Sequence, residues 1–364
     1  YDALDANTTA DSNTGLGFAA LGGNTTGANN TAVGVNALLS NTTASFNVAV
    51  GAASLDANTT GANNVAVGYA ALTANTTASE NTAIGYNALS KNTTGTGHVA
   101  VGFEALKETT TGDANTAVGV DALRNNTTAA NNTAMGYDAL RSNTTGVDNT
   151  AFGRSALTTN STGTSNVGIG VSALRVYTGS ENVAVGYHAM YNTSTGGDSV
   201  AVGHKAMFSN TTGNVSVAVG DAALYSNTTG AYNTAVGYLA LYDNTTTSYN
   251  TAVGYKALYE NTASYNSAFG DQALEMNTTG QYNTAVGYNA LEANTTASSN
   301  TAVGHAALHD NTTGASNTSV GYEALGSCTT ASQMCAFGYE ALSTSDTESY
   351  NNAFGYQALK VANG

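Results

Sequence analysis

The sequence predicts an all-β fold, a parallel β-solenoid or β-roll of about 21 coils, and three observations carry that prediction. A glycine that follows a short apolar triplet recurs every seventeen residues from Gly17 to Gly355, the spacing falling to sixteen only before Gly186 and Gly270. Each period joins a triplet such as Thr234-Ala235-Val236 to a polar Asn-Thr-Thr turn, the alternation that one coil of a stacked sheet requires. Proline is absent from all 364 residues, as expected where the amides of every coil donate to a neighbour.

Taken in order along one period, the triplet ends in Val, Ile, Leu, Met or Phe with Ala before it in nearly every coil, and reads as a strand. The glycine closes it. Three and four residues after the glycine come Ala and Leu, with Met190 and Met207 the only replacements for Leu; this stretch is expected to form a second short strand. An Asn then opens the turn. Helix is a poor reading, because Gly, Asn and Thr interrupt the Ala-Leu pair before a helical stripe can develop. Both sixteen-residue steps fall in the polar half, where turns absorb a change of length. At about 4.8 Å per coil the array would extend on the order of 100 Å.

Residues 1–364 read as a single continuous repeat domain. Tyr1-Asp2-Ala3-Leu4 repeats Tyr137-Asp138-Ala139-Leu140 without the preceding glycine, so a segment of a longer array is expected. Charged residues make up only 9% of the chain and the net charge is −15, against roughly 25% charged in an ordinary domain. A basic nucleic-acid groove is therefore excluded. No run of 18 apolar residues exists, so this segment is not expected to enter a bilayer. Cys328 and Cys335 form no disulfide framework and lack the second ligand pair of a zinc site; a free pair and a single bridge are both open.

Alternation along a strand puts Thr234 and Val236 on one face and Ala235 on the other, and Val236 is assigned to the interior. Both faces are small or apolar, and so thin a coil covers only one. A partner is required, and a second copy matches an identical periodic surface in register. Val236→Asp is then expected to damage assembly by burying a carboxylate.

The columns resemble the head repeats of trimeric autotransporter adhesins. Asn182-Val183-Ala184-Val185-Gly186-Tyr187-His188-Ala189 and Asn47-Val48-Ala49-Val50-Gly51 are close to that family's pattern of a Ser/Asn-Val-Ala-Ile-Gly strand, two variable residues and an alanine. The longer Asn-Thr-Ala-Val-Gly-Tyr-x-Ala-Leu-x-x-Asn-Thr-Thr-Gly form is similar to repeats of bacteriophage tail-fibre and related surface-fibre proteins. The resemblance covers the whole chain. It implies a left-handed β-roll assembled as a homotrimer, placed outside the cell or on a virion tail, with adhesion as its purpose. The adhesin coil is a few residues shorter than this one.

The turn Asn column (Asn24, Asn41, Asn58, Asn75 and onward) is read as satisfying turn backbone groups and its own neighbours along the stack. Its Asn-Thr-Thr triplets also match the N-glycosylation pattern. Ten tyrosines directly follow the marker glycine and are read as packing residues. A second group forms the candidate glycan-contact site: Tyr191, Tyr225, Tyr242 and Tyr259 five after the glycine, and Tyr232, Tyr249, Tyr265 and Tyr282 five before it. Exposed aromatic rows stack on sugar rings or, more simply, on one another. The first of these columns holds Lys107, Arg124, Arg141, Glu275 and Glu292 elsewhere, so it should face solvent.

The five histidines are spread over four columns, with His204 and His305 alike directly after a marker glycine, and are expected at the surface, with no metal site. No catalytic motif or phosphate-cradling loop is present, so neither enzyme activity nor a cofactor is expected. The function expected is a structural fibre or adhesin segment that presents a tip and contacts cell-surface glycans. Two other readings are an ice-binding solenoid, from the Thr-Thr rows, and a self-assembling cell-surface filament. A polysaccharide-cleaving β-helix would need converging carboxylates, and the acids here are scattered.

Overall fold

A computed structural model describes residues 2–344 and 348–360; Tyr1, which opens the partial first repeat, lies outside them. The chain is all-β, with twenty-one three-residue parallel strands in a solenoid of seventeen-residue period. Contacts divide it into two compact units, Tyr1–Glu181 and Asn182–Gly364. In the first, β1 (Thr14–Leu16) to β10 (Val167–Ile169) pair in chain order; in the second, β11 (Val183–Val185) to β21 (Asn352–Phe354) do the same. The division falls inside the sixteen-residue step before Gly186.

Register follows the period. Ala235 pairs with Ala252, seventeen residues on, and Thr251 pairs with Ser267 across the shorter step without loss of alignment. The missing residue is taken out of the turn, where Asn261 Nδ2 donates to the Ala263 carbonyl two residues on, at 2.6 Å, instead of three.

Each coil holds one strand, not two. The Ala-Leu stretch is a turn in which the second and fourth residues after the glycine have positive φ, as in Leu239 (φ 56°) and Leu241 (φ 52°). The backbone still reaches its neighbours: Leu239 N–H donates to Asp221 O in the coil before (3.1 Å), and Leu241 N–H to Ala257 O in the coil after (3.0 Å). A left-handed L-residue costs about 1–2 kcal/mol. That cost is borne because the Leu side chain is fully buried and the inter-coil bonds hold the backbone in place. Neither column contains Val, Ile or Thr in any coil, as expected where positive φ penalises β-branched side chains.

Marker glycines have φ near +137°, and a Cβ on Gly237 would stand 2.2 Å from the Gly254 carbonyl oxygen of the next coil. Only glycine fits there.

The interior is narrow and built from columns. Ala235, Ala240 and Leu241 represent the apolar ones, all fully buried within the single chain. Strand burial alternates so that Ala235 points in while Thr234 and Val236 lie half-exposed, which corrects the inward assignment of Val236. It also corrects the reason given for a partner: the alanine and leucine rows are covered by their own chain. Left outside is a strip made by the residues flanking the marker glycine.

Candidate functional site

The interior polar columns set what the surface can offer. Turn asparagines stack as amide chains: Asn41 Nδ2 donates to Asn24 Oδ1 (2.7 Å) and to Ala44 O (3.0 Å), and Asn58 Nδ2 to Asn41 Oδ1 (3.1 Å). A second column four before the glycine does the same for the strand entrance, with Asn132 N–H donating to Asn115 Oδ1 (3.0 Å) and Asn115 Nδ2 to Ala129 O (2.8 Å). The asparagines from Asn24 to Asn317 in these two columns are buried. The turn asparagines that match the glycosylation pattern therefore have their amide nitrogens engaged inside the fold. A sugar there would break the ladder.

His98 takes an Asn position in the second column, so it is not the surface residue expected of it. Its Nδ1 accepts from Asn115 N–H (3.2 Å), as an Asn Oδ1 would, which leaves the proton on Nε2. Nε2 points toward the Gly112 carbonyl without a well-aligned hydrogen bond and is a buried nitrogen lacking a partner. Burial holds this imidazole below its ordinary pKa, opposed by the Gly112 carbonyl, the Asp113 carboxylate and Asn115.

Five residues after the glycine, the structure brings Tyr191, Tyr225, Tyr242 and Tyr259 into one stacked row, completed by Phe208 with ring centroids 5.1–5.3 Å apart. Phe208 shares that column, five after Gly203, and is the member that an expectation built on tyrosine alone leaves out. These rings are half-buried, and burial pushes the Tyr242 and Tyr259 hydroxyls above the usual phenol pKa. Tyr232, Tyr249, Tyr265 and Tyr282 form a second row at 5.0–5.2 Å, all exposed and all at positive φ. Near-parallel stacking covers ring faces along each row, so the rows offer hydroxyl edges to solvent. Only a terminal ring such as Tyr282, followed in its column by Ser299, keeps a face uncovered by another ring of its row.

The tyrosines directly after the glycine do not pack inside. Tyr69, Tyr86 and Phe103 stack at 5.2–5.4 Å while remaining about half-exposed. They run beside the outward column of Val, Ile, Met and Phe before the glycine. Together with the uncharged or apolar residue that opens each strand, these columns make the exposed strip.

In the first unit the column five after the glycine carries ions: Lys107 meets Glu104 at 2.8 Å, and Arg124 meets Glu104 at 2.6 Å and Asp121 at 3.4 Å. The Lys107 hydrogen bond, with burial opposing and Arg124 adding, holds Glu104 below the usual carboxylate range. In the second unit His204 lies 2.9 Å from Asp221, and His309 sits between Glu292 (2.7 Å) and Asp310 (2.6 Å), so carboxylates do flank two histidines. Among the described residues no group of three or more His, Cys, Asp and Glu could hold a metal ion, and no helix is long and apolar enough to cross a membrane. Cys328 is buried in the turn column and Cys335 is half-exposed in its strand; neither is bridged. In the turns, Thr25 Oγ1 donates to Thr42 O (2.9 Å), so the first Thr hydroxyl of the pair is used and a single row of second Thr residues stays exposed.

The chain matches no family model and no curated protein sequence.

Proposed function

We propose that this chain is a structural, non-enzymatic segment of an extracellular or virion-tail fibre, in which three copies associate along their strand faces as a left-handed β-roll and hold an adhesive tip away from its base. The observation that carries the reading is the strip. The residue before the marker glycine is apolar in every coil, and the residue opening the strand is uncharged in every coil, yet both stay half-exposed or exposed in the single chain. With about 200 Å² per aromatic side chain and exposures of 37–72%, the rings of this strip in the second unit leave on the order of 900 Å² uncovered. A standard interface takes roughly 800 Å² from each partner. A second copy has the same pitch, so its contacts repeat at every coil.

The tyrosine rows are the proposed glycan contacts, through hydroxyl edges and the free faces of terminal rings. Ice binding has less support, because a single exposed Thr row is not a flat two-row array.

Light scattering at micromolar concentration tests the assembly, and a stable monomer there would overturn it. The double variant Val236→Asp and Val286→Asp, in strands that are not neighbours, should abolish association while each change shifts unfolding by no more than about 1 kcal/mol, since both side chains lie outside the core. Unchanged assembly in that variant would remove the strand strip as the contact face.

A further inference from the structure

In the second unit the column five after the glycine is bulky from Tyr191 to His309 and then changes. Gly326 and Ser343 occupy it in two successive coils before Lys360 restores a long side chain. The two small residues open a notch of about 460 Å³, within the roughly 300–1,000 Å³ range of small-molecule sites. His309 and Lys360 bound it, and Gly326, Ser327 and Ser343 contribute to its lining.

The polar groups around it are mostly acceptors. Asn289 lines the notch, and its Oδ1, shielded from solvent, has no hydrogen-bond partner, so a ligand reaches it only once the side-chain amide turns toward the notch. Glu323 lines the notch too, and its carboxylate raises the neighbouring Tyr322 hydroxyl above the usual phenol pKa. Asp310 is held by His309 at 2.6 Å, and Glu340 is held by Lys360 and by Gln357 Nε2 (2.8 Å). His305, stacked between Tyr288 and Tyr322, adds a ring edge.

We infer that this notch binds one neutral sugar residue of a glycan. A pyranose fits within such a volume and brings several hydroxyl donors to the Asn289 amide, Glu323 and the Ser hydroxyls. An acidic sugar would bring its carboxylate against Asp310, Glu323 and Glu340 in a chain of net charge −15. The inference rests on the glycan-contact part of the fibre reading. It does not rest on the tyrosine rows.

The test is saturation-transfer NMR and chemical-shift titration of the intact protein with galactose, mannose, N-acetylglucosamine and N-acetylgalactosamine, and with N-acetylneuraminic acid as the acidic comparator. At least one neutral sugar should give saturable shifts on coils 304–343, and N-acetylneuraminic acid none. Gly326→Tyr fills the notch with the residue this column already carries at Tyr242 and Tyr259; Gly326 has no unusual φ, and the nearest atom to its new Cβ is Glu323 O at 3.2 Å. Binding should fall at least tenfold there with an unchanged melting profile. Asn289→Ala, should the first variant fold poorly, must weaken binding in the same direction. Absence of saturable binding by any neutral sugar, preference for the acidic one, or undiminished binding in both variants would overturn the site. Tyr242→Ala and Tyr282→Ala should leave this binding intact, so failure of the tyrosine-row proposal remains separately readable.

Discussion

The same column does different chemistry in the two units. Five residues after the glycine, the first unit places Lys107, Arg124 and Arg141 against Glu104, Asp121 and Asp138 two after it, whereas the second places Tyr191, Phe208, Tyr225, Tyr242 and Tyr259 in a ring stack. Beneath both run the same buried Ala and Leu columns, with the same positive φ at Leu. The coil is thus held by its interior, and the exterior column is open to rings that stack on their like one coil away and to cations that pair with a carboxylate of the same coil or of the one before. Partly exposed ion pairs contribute up to about 1 kcal/mol each, and stacked rings about 0.5–1.5 kcal/mol. Neither sets the fold.

If the shared interior governs both units, breaking it should be equally severe in each. Gly119→Ala and Gly237→Ala would place a Cβ 2.5 Å and 2.2 Å from the next marker carbonyl, and each should cost more than about 3 kcal/mol. Denaturant unfolding followed by circular dichroism, with hydrogen exchange to locate the loss, measures this. A near-wild-type profile for one of them would show that the two scaffolds differ.

A smaller effect separates the units by pH. His98 titrates below its ordinary value of about 6.5 when folded, so the unfolded chain takes up its proton first as the pH falls. Its contribution to stability is whole above that value and is lost through the window below it. Amide protection factors around coils 82–132, corrected for the intrinsic pH dependence of exchange, should fall on acidification from pH 7 to 5, and His98→Asn should abolish that change, because Asn restores the ladder without a titrating group. Equal acid sensitivity in that variant would contradict the assignment.

The smallest effects belong to the exterior columns. Arg124→Ala and Tyr242→Ala should each cost about 0.5–1 kcal/mol. Only the first loss should shrink in molar salt, where ion pairs are screened. Melting at two salt concentrations distinguishes them, and parallel salt dependence would remove the distinction between the columns.

Much of this was legible in order of residues. A strand at Thr234-Ala235-Val236, a turn at Asn244, and register preserved through the sixteen-residue step before Gly270 all follow from period and turn chemistry. The candidate tyrosines resolve into two stacked rows because equal columns in parallel coils must lie one above another. The Ala-Leu stretch is a turn where a strand is expected, although its signal is present in the sequence: a column that admits Leu and Met but never Val or Ile is avoiding β-branching, as left-handed backbone demands. The inward placement of Val236 failed because alternation separates two faces without saying which is inside.

By itself, the sequence determined the period, the parallel register and the columns, since these depend only on which residue types recur at what spacing. Tertiary structure alone decided which face of the strand the narrow interior takes, that the asparagine amides are consumed within, and that Gly326 and Ser343 leave a notch. Each is a matter of volume and direction: a coil closes on whatever fits its bore, and Ala235 fits where Val236 does not.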